Sequence, residues 1–125
     1  MYINHNPNPM GKHVGDCTVR AVSKALGISW IKAYLTLAVK GLTMSDMPSA
    51  NRVWGDCLKD RGFITQIIPD YCTVKEFCEK NTIGIYVLAL SGHVVTVING
   101  DYYDTWDSGD EIINYYYFKE AENDV

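Results

Sequence analysis

The amino-acid sequence predicts an α+β domain whose helices and sheet occupy separate stretches of chain. Three observations predict it. Apolar residues recur with a helical period up to about residue 60. From Phe63 onward they fall in short runs rich in β-branched and aromatic residues. Asn99-Gly100, set between two such runs, suits a two-residue hairpin turn. Helices followed by strands imply two segregated layers. The expected architecture is a single domain over residues 1–125, with three N-terminal helices packed on a four- to five-stranded antiparallel sheet.

Residues 1–15 hold three Asn, two Pro, two Gly and two His, a composition that predicts turns and irregular backbone. Asp16 then stands as an N-cap, with Val19, Ala21, Val22, Ala25 and Leu26 at helical spacing up to a terminating Gly27. Ser29 caps a second helix, expected to bury Trp30, Ile31, Tyr34, Leu35, Ala38 and Val39 and to end at Gly41. A third helix is expected over Ser49–Asp60, closed by Gly62. Phe63–Ile68 reads as a strand ended by Pro69, and Thr73-Val74-Lys75-Glu76 as a capping box opening a short helix. The apolar runs Ile83–Leu90 and His93–Ile98 predict central strands, Asp101–Trp106 a returning strand and Ile112–Phe118 the last one. The tyrosines at 115, 116 and 117 should alternate between the faces of that strand, and residues 120–125 should form a solvated end.

Composition removes several function classes. With 47% hydrophobic and 21% charged residues, 125 residues can bury a core without disulfides. A net charge of -4 leaves no basic footprint for nucleic acid. No apolar run reaches membrane-spanning length, and the first residues lack a secretory pattern, so a soluble cytoplasmic protein is expected. The cysteines at 17, 57, 72 and 78 are then expected as free thiols. Their spacing fits no common zinc pattern, so neither metal nor cofactor is expected, and Cys57 and Cys78 should pack as small hydrophobes.

One constellation carries chemistry. Cys17 lies in the first turn of the first helix, where free N–H groups and the helix dipole favour a thiolate. Asp16 works against this, so a base must help. His93 opens a central strand and can form a thiolate–imidazolium pair. A third group must fix the imidazole tautomer. With a two-residue turn at Asn99-Gly100, Val95 opposes Asp104 and His93 opposes Trp106. Asp104 then shares a face with His93, while Trp106 can shield the pair from water. A three-residue turn would bring Asp107 opposite His93 instead, so Asp107 is the alternate orienter. Arg20, one turn after Cys17, is either a packing residue or a support for the thiolate. Taken singly, each residue has an ordinary reading: a buried thiol, a satisfied structural histidine, a surface arginine. Their joint order favours catalysis.

The order of Cys on a helix start, then His, then Asp on following strands resembles that of papain-like cysteine peptidases. Asp104-Thr105-Trp106 is similar to the Asn-Ser-Trp of papain relatives. Gly15-Asp16-Cys17-Thr18-Val19-Arg20-Ala21 and Gly92-His93-Val94-Val95-Thr96-Val97 resemble small papain-like proteins of phage and bacterial genomes, with bacteriocin-leader peptidases as more distant relatives. The resemblance covers residues 6–26 and 83–108; residues 27–80 match in layout alone. It implies a papain-like fold and a thiol peptidase or amidohydrolase acting on a peptide or protein substrate through Cys17, His93 and Asp104. One departure is that Gly11 stands where relatives carry an oxyanion-hole Gln. Asn8 is the replacement candidate, with Asn6 and His13 behind it, and the Cys17 backbone N–H remains available. A catalytically silent binding module, and an acyl transferase or deamidase on the same triad, are the alternative functions.

Overall fold

The computed structural model describes residues 1–68 and 70–119; Pro69 as a strand terminator and the solvated end at 120–125 lie outside them. The described chain is α+β: four helices and a six-stranded mixed sheet. In chain order the elements are β1 (Tyr2–Asn4), α1 (Cys17–Leu26), α2 (Trp30–Met44), α3 (Asn51–Lys59), β2 (Ile64–Ile67), α4 (Val74–Lys80), β3 (Ile85–Leu90), β4 (His93–Ile98), β5 (Asp101–Asp104) and β6 (Ile113–Lys119). The strands lie in the order β1-β5-β4-β3-β6-β2. The two apolar runs expected at the centre, β3 and β4, are there, each with paired neighbours on both sides.

Alternation along the central strands builds two cores, one on each face of the sheet. Val87, Ala89 and Val94 pack with Ala21, Val22, Leu37, Val53 and Trp54 beneath α1, α2 and α3. Leu88, Leu90, Val95 and Val97 pack with Val74, Phe77 and Cys78 of α4. Segregation of all helices to one face is therefore corrected: α4 covers the opposite face. The capping box that opens α4 is present, with Thr73 accepting from the Glu76 N–H and the Glu76 carboxylate accepting from the Thr73 N–H. The β6 tyrosines divide as their alternation predicts. Tyr115 and Tyr117 meet Trp54 on one face, and Tyr116 meets Phe77 on the other.

Three expectations about elements are corrected. The stretch read as irregular contains β1, which pairs in parallel with β5 (Tyr2↔Tyr102, Asn4↔Asp104) and makes the sheet six-stranded and mixed. Helix α2 runs through Gly41 to Met44 and ends at Ser45 in the left-handed region, φ 53°. Gly41 serves packing: a Cβ there would stand 2.9 Å from the Asp46 carbonyl and 3.1 Å from the Pro48 nitrogen. Third, α2 buries Ala33, Leu37 and Gly41, while Ile31, Tyr34, Leu35 and Val39, expected in the core, are exposed. Spaced at 100° per residue, the apolar positions of α2 form one very wide arc, and only the edge that carries Ala33, Leu37 and Gly41 faces inward.

Candidate active site

Helix α1 and strand β4 hold the two central groups of the site. Arg20 N–H makes the first intrahelical bond, to the Asp16 carbonyl at 2.9 Å. The N–H groups of Cys17, Thr18 and Val19 at the helix start therefore lack intrahelical acceptors. Asp16 occupies the N-cap position, but its carboxylate caps no N–H, contrary to expectation. It is buried instead between the Arg20 guanidinium, at 2.6 Å, and the Trp30 indole N–H, at 2.8 Å. Its charge is thereby paired rather than set against the Cys17 sulfur. Thr96 on β4 donates to the Ala21 carbonyl at 2.7 Å, fastening α1 along the strand.

The β4–β5 hairpin turns through Asn99 (φ 49°) and Gly100 (φ 82°), the two positive-φ positions of a type I′ turn. Its ladder pairs Ile98 with Asp101 and Thr96 with Tyr103. This is the two-residue register, and it delivers Asp104 to His93. His93 Nε2 donates to Asp104 Oδ2 at 2.7 Å. The regular strand ends there, and Trp106 reaches back over the imidazole with ring centroids 4.9 Å apart. Asp107, the alternate orienter, is engaged elsewhere: it accepts from the Tyr102 hydroxyl and from the Gly109 N–H.

Asp104 is 1% exposed and fully partnered. Oδ1 accepts from Arg20 Nη2 at 3.2 Å and from the Thr105 N–H at 2.8 Å; Oδ2 accepts from Ser108 Oγ at 2.7 Å besides His93. Burial alone would raise its pKa. The bonds from His93 and Ser108, the His93 charge and the Thr105 N–H outweigh that and hold it below the usual carboxylate value. A buried anion with four donors is a fixed charge. Arg20 links Asp16 and Asp104, so one guanidinium ties the start of α1 to the end of β5.

The Cys17 thiol, half-buried beside His93, is perturbed in the direction nucleophilic attack requires. Burial pushes its pKa up. The neighbouring His93 imidazole, the Val94 backbone and the Arg20 charge overcome this and bring it below the ordinary thiol value. For His93, burial lowers the pKa, but Asp104 on one side and Cys17 on the other raise it to about 9. The two shifts belong to the pair, and both run in the direction of thiolate with imidazolium. The other three thiols are buried and shifted upward by that burial, Cys78 to about 11.

The side chain of Asn8 is committed to its own loop, since Oδ1 accepts from the N–H groups of Met10 and Lys12. Its neighbours Pro7 and Pro9 line a cavity together with Ser23, Lys24 and Gly27, toward the far end of α1. The structure thus brings together Cys17, Arg20, His93, Asp104 and Trp106, and leaves Asn8 and Asp107 out. Ser108 was missed by the sequence reading; a serine four residues after Asp104, next to Gly109, is its only signal. Beside the start of α1 a cavity of about 310 Å³ is lined by Val14, Asp16, Val19, Trp30, Tyr34 and Leu37. Among the described residues, no helix is long and apolar enough to cross a membrane. No protein-family model matches this chain, and neither does any curated protein or solved structure.

Proposed function

We propose that the chain is a papain-like cysteine hydrolase that cleaves a peptide, isopeptide or related amide bond of a protein substrate. The observation that carries this reading is the Asp104–His93 contact, 2.7 Å at Nε2, which leaves Nδ1 as the ring nitrogen for the Cys17 thiol. In the reaction the Cys17 thiolate adds to the amide carbonyl carbon. The oxyanion takes a hydrogen bond from the Cys17 N–H at the open helix start, a contribution of a few kcal/mol. His93 gives its proton to the leaving nitrogen as the C–N bond breaks, which yields an amine and a thioester. Neutral His93 then takes a proton from water. The hydroxide adds to the thioester, and cleavage of the C–S bond releases a carboxylic acid and restores the Cys17–His93 pair. Asp104 keeps the imidazole in one tautomer throughout.

The test is labelling with a peptide that carries an electrophilic amide mimic, followed by mapping of the modified residue. The expected result is one adduct, on Cys17, that His93→Ala suppresses. Equal labelling of Cys57 or Cys72 in the folded protein, or no labelling of Cys17, overturns the reading. Clean labelling of Cys17 without turnover of any amide substrate would favour the silent binding module.

A further inference from the structure

Among the described residues, one buried side-chain nitrogen or oxygen lacks a hydrogen-bond partner: Nε2 of His5. The residue follows β1. Its N–H donates to the Asp104 carbonyl at 2.8 Å, and the Tyr2 hydroxyl donates to the same oxygen at 3.3 Å. Its ring stands edge-on to Tyr103 of β5, with centroids 5.8 Å apart. Lys24 of α1 lies over that same Tyr103 ring, Nζ 4.2 Å from the centroid. The charges that reach His5 from α1 are therefore positive, Lys24 first and then Arg20. No carboxylate offsets them. Asp16 and Asp104 are both bound to Arg20, and Asp104 also to His93 of β4. The cavity beside the ring adds Pro7, Pro9, Trp30 and Ile98 to its surroundings, and no acidic side chain.

We propose that His5 is an acid-sensitive latch on β1: the neutral ring lets residues 2–5 lie along β5, and protonation of the ring releases them. A neutral imidazole can present Nε2 as a bare nitrogen, and its missing bond costs far less than a buried, unpaired charge. The imidazolium carries a proton on both nitrogens, so Nε2 becomes a buried donor without an acceptor. Its charge also joins those of Lys24 and Arg20 with no carboxylate to balance them. Burial and these two cations hold the His5 pKa below its ordinary 6.5. Once β1 leaves the sheet, the ring enters water and titrates at its ordinary value. The released form then binds more protons between the two values, so docking weakens as pH falls from about 6.5. β1 suits local release: it is a three-residue edge strand paired with β5 alone. Release strips the Asp104 carbonyl of both its donors. That consequence for the orienting residue rests on the proposed catalytic reading; the docking equilibrium does not.

Amide hydrogen exchange of the full chain from pH 7.5 to 5, corrected for its intrinsic pH dependence, tests the latch. The Tyr102 N–H bonds to the Met1 carbonyl at 3.0 Å and the His5 N–H to Asp104, so both amides report docking. Their protection should fall at least about threefold over that range, within the tenfold per pH unit that one proton allows, while amides at the centre of β3 keep theirs. NMR titration of the ring should place His5 below 6.5, and Lys24→Met should move it upward. His5→Phe keeps an aromatic ring against Tyr103 without a titrating nitrogen, and should leave both amides protected down to pH 5. Should that variant fail to fold, Lys24→Met carries the comparison, with a smaller acid loss than the parent. Unchanged protection of Tyr102 in the parent overturns the proposal. So does an equal loss in His5→Phe, or a folded His5 that titrates at or above 6.5. Alkylation of Cys17 at the same pH values should fall more steeply in the parent than in His5→Phe; equal slopes with a working latch overturn its link to the active site alone.

Discussion

Thr96 Oγ1 donates to the Ala21 carbonyl oxygen across 75 residues of sequence, at 2.7 Å and out of reach of water. The bond joins the middle of α1 to the middle of β4, the two elements that carry Cys17 and His93. It sets how far along the strand the helix lies, and thus which β4 residue the thiol meets. Thr96→Val keeps the shape and removes the donor. The Ala21 carbonyl retains its helical partner, so the loss is that of one buried hydrogen bond, about 1 kcal/mol. The expected result is a lowered denaturant midpoint with an unchanged slope, together with slower alkylation of Cys17.

Thiol reactivity should separate the four cysteines by pH. Because His93 holds the Cys17 pKa below its ordinary value while burial raises the other three, iodoacetamide at pH 6 to 7 should label Cys17 first. In His93→Ala the imidazolium is gone, burial dominates, and the labelling profile of Cys17 should move to higher pH. Peptide mapping after timed quenching reads both.

The His93–Asp104 contact should also appear in stability, most cleanly in Cys17→Ala combined with His5→Phe, where the thiol no longer exchanges protons with the ring and His5 no longer titrates. His93 has a raised folded pKa, so its contribution is complete below the unfolded value of 6.5 and is lost as pH rises through the folded value. That folded value lies below the 9 of the intact pair, because the Cys17 contribution has been removed. Asp104 is depressed, so its contribution is complete above the unfolded carboxylate range and is lost as pH falls through its folded pKa. Chemical denaturation from pH 3 to 10 should show a plateau between the carboxylate range and pH 6.5, with losses on both sides. Asp104→Asn should flatten the alkaline loss.

Substitutions around the orienting carboxylate should rank by what they touch. Cys17→Ala and His93→Ala should remove nearly all turnover, and Asp104→Ala should leave a residual rate. Ser108→Ala takes one donor from Asp104 Oδ2 and should lower kcat by a smaller factor. Asp107→Ala loses contacts to Tyr102 and Gly109 only, and should keep turnover within about threefold of the parent, less than ~1 kcal/mol of barrier. Comparing kcat and KM across this set checks the order.

Gly55 in α3 should resist replacement even though alanine favours helices by about 1 kcal/mol. A Cβ at this position would collide with the buried Tyr117 ring, standing 2.9 Å from Cζ and closer still to the hydroxyl oxygen. Overpacking of that kind costs about 1–3 kcal/mol, so Gly55→Ala should lower the Tm. A rise in Tm would show that Tyr117 can turn aside.

Cys17, His93 and Asp104 were legible because each stood beside a strong local signal. The αL-tolerant pair Asn99-Gly100 fixed the hairpin register, and the register chose Asp104 over Asp107. The helix start was legible from the apolar period after Cys17. Asp16 was misread because capping preference is a local rule, and a buried guanidinium four residues on competes for the same carboxylate. The inward face of α2 was misread for a related reason: the apolar arc is wider than the buried one, so Ala33 and Leu37 go inside while Ile31, Leu35 and Val39 do not, and Gly41 is set by the close approach of Asp46 and Pro48. Strand β1 has three residues and no alternation of its own; only its partner on β5, a hundred positions away, makes it a strand.

That last pairing has a kinetic consequence. β1 is parallel to β5, and His5 N–H bonds to the Asp104 carbonyl at 2.8 Å, so the segment at residues 2–5 braces the backbone of the orienting residue. This segment can bind nothing until the β4–β5 hairpin exists, and closing a loop of that length is slow compared with forming a helix or hairpin. The helices and the hairpin can therefore assemble early, while the edge strand that steadies Asp104 docks late. Reactivity of Cys17 should then lag behind the recovery of helical signal when the protein refolds.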